Sequence, residues 1–400
     1  MKRFKRKIID TVLIIFLLLT HNSSASSQTQ GVGSRMDSVE ISLLTCGPRP
    51  NVYSLYGHTA LRYRDKANGT DLAVNYGMFS FGKPFFILRF VFGLTDYEMG
   101  IEYFSDFIAH YSASGCGIKE QKLNLTDKEK AAIAAAIDEN YLPQNRVYRY
   151  NYFYDNCTTR ARDMIVSHLD GEISYSHEND GEKTTFRKMI HQYNATHRWA
   201  RFGNDLLLGV KADMPTTSAE QQFLPENLSR DFNTASVKRD GNVASKLVGE
   251  ETWILPRTRD VGSDSFPITP LACMEIFALV LTVLTLVEYR RNANYWVVDA
   301  TIMTADALCG LILLAMVFSQ HPTVNLNLQI LLFNPMMVVA AVPATKALRK
   351  RKVSKWIKAW IVCIILFLAG GVLQRYAEGM YFMALSLLIR YGIKIHQFKK

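Results

Sequence analysis

The stretch "YRYNYFYDNCTTRARDM", residues 148–164, places one cysteine where an aromatic run meets a helical pattern. Asp155 and Asn156 both have the side chain of a helix N-cap, so either choice puts Cys157 in the first turn. There the unpaired backbone N–H groups and the positive end of the helix dipole favour a thiolate. Met164, Ile165 and Leu169 give the helix an apolar face that would bury it and fix the thiol in place. On these residues alone, Cys157 is equally a structural cysteine at the start of a core helix.

A second stretch supplies a base. "YSLYGHTALRY" puts His58 at the start of an alternating strand, and "KANGT" carries an Asn-Gly turn into the next strand, "DLAVNYGMFSFG". A strand-borne imidazole facing a helix-N-terminal cysteine is a thiol-enzyme arrangement; taken alone, His58 is an ordinary hydrogen-bonded histidine. Asn75, on the neighbouring strand, is the candidate to orient the imidazole, with Asp71 as its weaker rival. Asp155 stands beside the site as a supporting residue. The Cys157 N–H would help hold an oxyanion, with Asn156 or Tyr154 as a second donor.

Cys46, Cys116 and Cys157 fall in the polar part of the chain, so at least one of the three stays unpaired within it. A Cys46–Cys116 disulfide would leave Cys157 free. Cys46 is also a possible second thiol, although no helix follows it to lower its pKa. His110, His168, His177, His191 and His197 show no metal-ligand spacing, and neither a metal nor a soluble cofactor is expected.

Around these residues the chain divides into unlike parts. "MKRFKRKIIDTVLIIFLLLTHNSSASS" has the basic start, short apolar run and small polar residues of a signal peptide, taken as 1–26. Residues 27–209 mix strand and helix patterns and read as an α+β exported domain. Its surest helix follows Thr126, which forms a capping-box pattern with Glu129. "RVYRYNYFY" reads as an aromatic strand running into a helix that Gly171 stops. "KPFFILRFVFG" is a partly buried helix or a membrane-facing lip. Residues 210–268 read as an irregular connector. From 269 onward the chain is apolar, with spans expected at 270–288, 297–318, 327–347, 356–374 and 378–392.

The loops between these stretches alternate in charge. "EYRRNAN" and "KALRKRKVSKWIK" are basic, "SQHPTVNLNLQ" has no Lys or Arg, and "QRYAEG" has one Arg. That alternation fits a multi-pass protein of the cytoplasmic membrane with residues 27–268 outside. It also accounts for most of the net charge of +10, so no nucleic-acid partner is needed.

The order His58 before Cys157, with an Asn-Cys pair opening a helix, resembles the circularly permuted papain-like families. These include lecithin:retinol acyltransferase-like enzymes, several of which carry acyl chains on a cysteine. More of the chain is similar to the Lnb-type lipoprotein N-acyltransferases of the Bacteroidota. That resemblance rests on "LLTCGPRPNVYSLYGHTALRY", "VNYGMFSFG", "QKLNLT", "YNYFYDNCTTRARD" and "NLNLQILLFNP". It implies transfer of an acyl chain from a membrane phospholipid, through a thioester on Cys157, to the α-amine of a diacylglyceryl N-terminal cysteine of a lipoprotein. The alternatives are an exported thiol peptidase or amidase, and a non-enzymatic membrane assembly factor.

Overall fold

Alternating apolar residues after residue 38 form strands because one face of each is covered. The computed structural model describes residues 36–398 apart from 80, 81, 83, 177–182, 240–242 and 265. The expected signal peptide lies outside them. β1 (Val39–Cys46), β2 (His58–Asp65) and β3 (Thr70–Met78) form a meander. α1 (Phe86–Val91), β4 (Asp96–Tyr103), α2 (Phe104–Ser114), β5 (Ile118–Leu123), α3 (Asp127–Tyr141), β6 (Val147–Arg149) and α4 (Cys157–Val166) follow. Next come β7 (Glu172–Ser174), α5 (Phe186–Tyr193), α6 (Arg198–Leu207), α7 (Ser218–Gln221), α8 (Pro225–Thr234), β8 (Ser236–Lys238), β9 (Ser245–Lys246) and β10 (Val248–Leu255).

The main sheet has the order β10-β5-β1-β2-β3-β4-β6, antiparallel throughout. Ala60 and Ala73 pack with Phe104 and Phe107 of α2. Thr59, one residue along, donates to Thr158 of α4 at 3.1 Å. Successive strand residues point to opposite faces, so α2 and α4 cover opposite sides of the sheet. The capping box before α3 forms, with Thr126 Oγ1 accepting from Glu129 N–H and Glu129 Oε2 from Thr126 N–H.

Three expectations for this part of the chain are corrected. The aromatic run at 146–154 gives only the three-residue β6. Beyond it, Asn151 and Asp155 pair across a tight turn that buries Phe153 against Phe186 and Phe223. The helix after it ends at Val166, short of Gly171. Residues 210–268 are also more ordered than an irregular connector: β10 is an edge strand of the main sheet, and α8 packs on β1 and β10 with Leu228 and Phe232 fully buried.

The apolar part forms α9 (Pro270–Arg290), α10 (Trp296–Val317), α11 (Met337–Arg349), α12 (Lys355–Gly370) and α13 (Met380–Gln397). By length and composition, α9 and α10 are each apolar enough to cross a membrane. The stretch expected as one span over 327–347 is instead a 3-10 turn at Leu328–Leu331, a short non-helical segment and the 13-residue α11. Arg390, near the end of the span expected over 378–392, is buried within α13, bidentate on Asp299 of α10 at 2.6 and 3.0 Å and 3.1 Å from Glu288 of α9. Lys394 joins the same two carboxylates at 2.6 and 2.9 Å. Two cations facing two anions balance, so the cluster joins α9, α10 and α13 without a net buried charge.

The sheet domain is joined to one end of this bundle. Gly209 N–H donates to Thr323 O and Val210 N–H to Leu326 O, both at 2.8 Å. A Cβ on Gly209 would lie 2.1 Å from Leu326 O, so only glycine lets the two chains approach this closely. Gln329 donates to Asp205 O and Gln374 to Leu208 O, and Arg198 pairs with Glu378.

Asp299→Ala would leave Arg390 and Lys394 sharing one carboxylate in the bundle. It is expected to destabilise the protein by about 3–5 kcal/mol, measured as a lower melting temperature in detergent.

Candidate active site

Cys157 is the first residue of α4, and Asn156 is its N-cap. Asn156 Oδ1 accepts the N–H groups of Thr158 and Thr159 at 2.8 and 2.9 Å, and Asn156 N–H donates to Thr159 Oγ1 at 2.9 Å. Both Asn156 Nδ2 hydrogens go to carbonyls, those of Tyr152 (2.8 Å) and Phe223 (3.0 Å). The cap is therefore fully occupied and holds the thiol rigidly at the dipole's positive end.

His58 faces it. The β2–β3 register sets Asn75 opposite Ala60, which places it diagonally across from His58 on the same face. His58 Nε2 and Asn75 Oδ1 are 3.0 Å apart, and Asn75 Nδ2 donates to Glu102 Oε1 at 2.9 Å. A carboxylate only accepts, so Glu102 fixes the amide orientation, Oδ1 accepts from Nε2–H, and Nδ1 is left for the thiol. A bulge in β3 at Tyr76–Gly77 brings the strand up to Cys157. Gly77 has φ +84°, and a Cβ there would lie 3.6 Å from Cys157 Cβ.

The electrostatics favour an ion pair. Burial pushes the Cys157 thiol up, but the His58 charge, the His58 hydrogen bond and the Thr59 N–H outweigh it and bring it down to about 7. Burial pushes His58 down, but the thiolate and Asn75 outweigh that and raise it above 6.5. Each partner stabilises the charged form of the other.

The pair opens onto a cavity of about 740 Å³. Tyr56, Tyr97, Tyr150 and Phe153 line it from the sheet domain, and Met316, Thr323 and Val324 from the end of α10 and the loop after it. Phe90 of α1 lines it too, and Phe85 and Leu88 of the same stretch are exposed, Phe85 by 76%. Phe92 O accepts from Gln320 N–H at 3.0 Å, which ties this apolar lip to the end of α10, beside exposed Phe318.

Comparison with known families agrees with this division. A profile described as the Lnb N-terminal periplasmic domain matches residues 32–192, and one described as the Lnb transmembrane domain matches 262–400. The chain belongs to the Lnb family. It is a membrane protein with a periplasmic domain. No curated protein and no solved structure matches it.

The remaining candidates of this Lnb chain lie outside the grouping of Cys157, His58 and Asn75. Asp71 is engaged by Arg62 at 2.6 and 2.8 Å, away from His58. Asp155 is bidentate with Arg160, which stacks over Tyr148, so it braces the turn rather than the thiol. Tyr154 packs edge-on against Phe186, and its ring does not line the cavity. With Asn156 committed to its carbonyls, neither side chain is placed as an oxyanion donor. Cys46 lies opposite His58 in the β1–β2 register but is buried, and burial raises its thiol far above the ordinary range. Cys46 and Cys116 are both free thiols, not a disulfide, and Cys116 Sγ–H donates to Pro48 O. Among the described residues no group of three His, Cys, Asp or Glu side chains could hold a metal. Glu102 and Thr59 were not foreseen. Both depend on strand register, which no local motif encodes.

The rate of Cys157 alkylation by iodoacetamide should rise with pH around a midpoint near 7, where the thiolate forms. His58→Ala should move that midpoint upward by a unit or more, toward the ordinary thiol value of 9. Asn75→Ala should move it less, because Asn75 acts on the imidazole and not on the thiol.

Proposed function

We propose that this Lnb chain is a lipoprotein N-acyltransferase. Its sheet domain is a permuted papain-like thiol fold on the periplasmic side. Its five C-terminal helices all span the cytoplasmic membrane. Under that reading the non-helical segment before α11 lies at membrane depth, where it needs partners within the protein. It has them: Trp360 Nε1 donates to Leu332 O at 3.0 Å, and Asn334 N–H donates to Asp306 at 3.0 Å.

The thiolate of Cys157 attacks an ester carbonyl of a phospholipid. The new C–S bond forms, the C–O bond breaks, and the His58 imidazolium gives its proton to the departing lysolipid alkoxide. The Cys157 N–H, free of helix bonds at the first position, faces the developing oxyanion. The α-amine of a diacylglyceryl N-terminal cysteine then attacks the thioester. His58 takes the amine proton as the C–N bond forms and the thiolate leaves.

The observation that carries this reading is the position of the ion pair at the wall of an aromatic-lined cavity shared with the end of α10. A membrane places lipid esters next to that end, and the lip formed by Phe85 and Leu88 would lie among the acyl chains. Glu102, Asn75 and His58 then act in line on one thiol, without need of a second nucleophile.

Purified protein given a phospholipid with labelled acyl chains should acquire one label per chain, released by neutral hydroxylamine. Cys157→Ala should acquire none. Cleavage of wall peptides or proteins without a lipid adduct would instead favour a thiol peptidase. Unchanged cell function with Cys157→Ser would favour an assembly factor.

A further inference from the structure

Among the charged side chains lining the catalytic cavity, Arg49 stands apart. It lies in "GPRP", just after β1, between Pro48 and Pro50. Both prolines restrict the loop, and hydrogen bonds across it hold its shape: Arg49 N–H donates to Ser54 O at 3.0 Å, and Pro48 O accepts from Cys116 Sγ–H. The guanidinium carbon sits 3.9 Å from the centre of the buried Tyr111 ring, which also lines the cavity.

The other buried or half-buried arginines of the sheet domain and connector have carboxylate partners. Arg62 has Asp71 and Glu120, Arg160 has Asp155, Arg187 has Asp205 and Asp213, and Arg239 has Glu129. No salt bridge to Arg49 forms among the described residues. Its charge is held against a ring face at the cavity wall, within electrostatic reach of His58.

We propose that Arg49 binds the phosphodiester of the acyl donor, an inference that rests on the acyl-transfer reading. An arginine presents paired N–H donors that match two phosphate oxygens, and stacking on an aromatic ring leaves that edge free. The phosphate of a glycerophospholipid is joined to its ester groups by a short glycerol unit. Fixing the phosphate at Arg49 therefore limits where the ester carbonyl can lie and brings it to the thiolate. A neutral lipid would fill the same aromatic cavity without that anchor.

The test compares two donors in the same mixed micelles: a phosphatidylethanolamine, and a diacylglycerol with the same acyl chains. Acyl transfer to a diacylglyceryl-cysteine peptide is the readout. The wild-type protein should prefer the phospholipid by about tenfold or more in kcat/KM, the range of a charge-assisted hydrogen bond, with most of the difference in KM. Arg49→Gln should bring the ratio of the two donors close to one, and Arg49→Lys should keep part of it. Because the readout is a ratio within one variant, a loss of folded protein does not imitate the result. Inorganic phosphate should raise the phospholipid KM of the wild-type protein.

A ratio retained in Arg49→Gln would overturn the assignment. So would phosphate inhibition without any donor preference, which would mark a site for the free ion only. Wild-type protein that transfers from neither donor would remove the acyl-transfer reading itself, and the Arg49 assignment with it.

Discussion

Burial opposes the charge on both members of the Cys157–His58 pair, and the charged pair persists only because each group is the other's counterion. That mutual dependence sets strict geometric terms. The thiol must be fixed, the imidazole must present one nitrogen to it, and neither can turn away. Asn156 meets the first condition with two accepted N–H bonds and two donated amide hydrogens. Asn75 and Glu102 meet the second through a line of hydrogen bonds in which only one tautomer fits. The seven-stranded sheet meets the third by setting the strands in register. In water the same two side chains would gain little from each other.

The second constraint is the weld between the sheet domain and the helix bundle. A thiol enzyme that works on soluble peptides gains nothing from a cavity shared with an apolar helix. Here Gly209 lets the connector lie against the 320s loop, and Gln329 and Gln374 donate to its carbonyls. β10 brings the chain back into the main sheet before it enters α9, so the two parts are joined twice. The cavity wall is contributed from both sides of that seam.

Much of this was legible in the sequence, for identifiable reasons. Cys157, His58 and Asn75 could be placed because N-cap chemistry, an Asn-Gly turn and strand alternation are local signals. The arrangement of α3 followed from Thr126 and Glu129 in the same way. Glu102 was not legible, since its approach to Asn75 depends on the pairing of β3 with β4. Arg49 carries no motif at all; its place is known only once Tyr111 has packed beneath it. The aromatic run before Cys157 misled because rings bury equally well in a strand or in a tight turn, and here Phe153 is buried in a turn. β10 escaped notice because, as an edge strand, most of it is exposed and shows no alternation. Asp155 and Tyr154 drew attention by being near Cys157 in sequence, but a turn followed by a helix start sends neighbouring side chains in different directions.

The central claim is that the ion pair moves an acyl chain from lipid to an amine. The most direct measurement is the mass of a diacylglyceryl-cysteine peptide after incubation with purified protein and phospholipid. The account predicts a gain of one acyl chain, placed on the α-amine by fragmentation, and no gain with His58→Ala or Cys157→Ala. An unchanged peptide mass with wild-type protein whose Cys157 alkylates normally would contradict it.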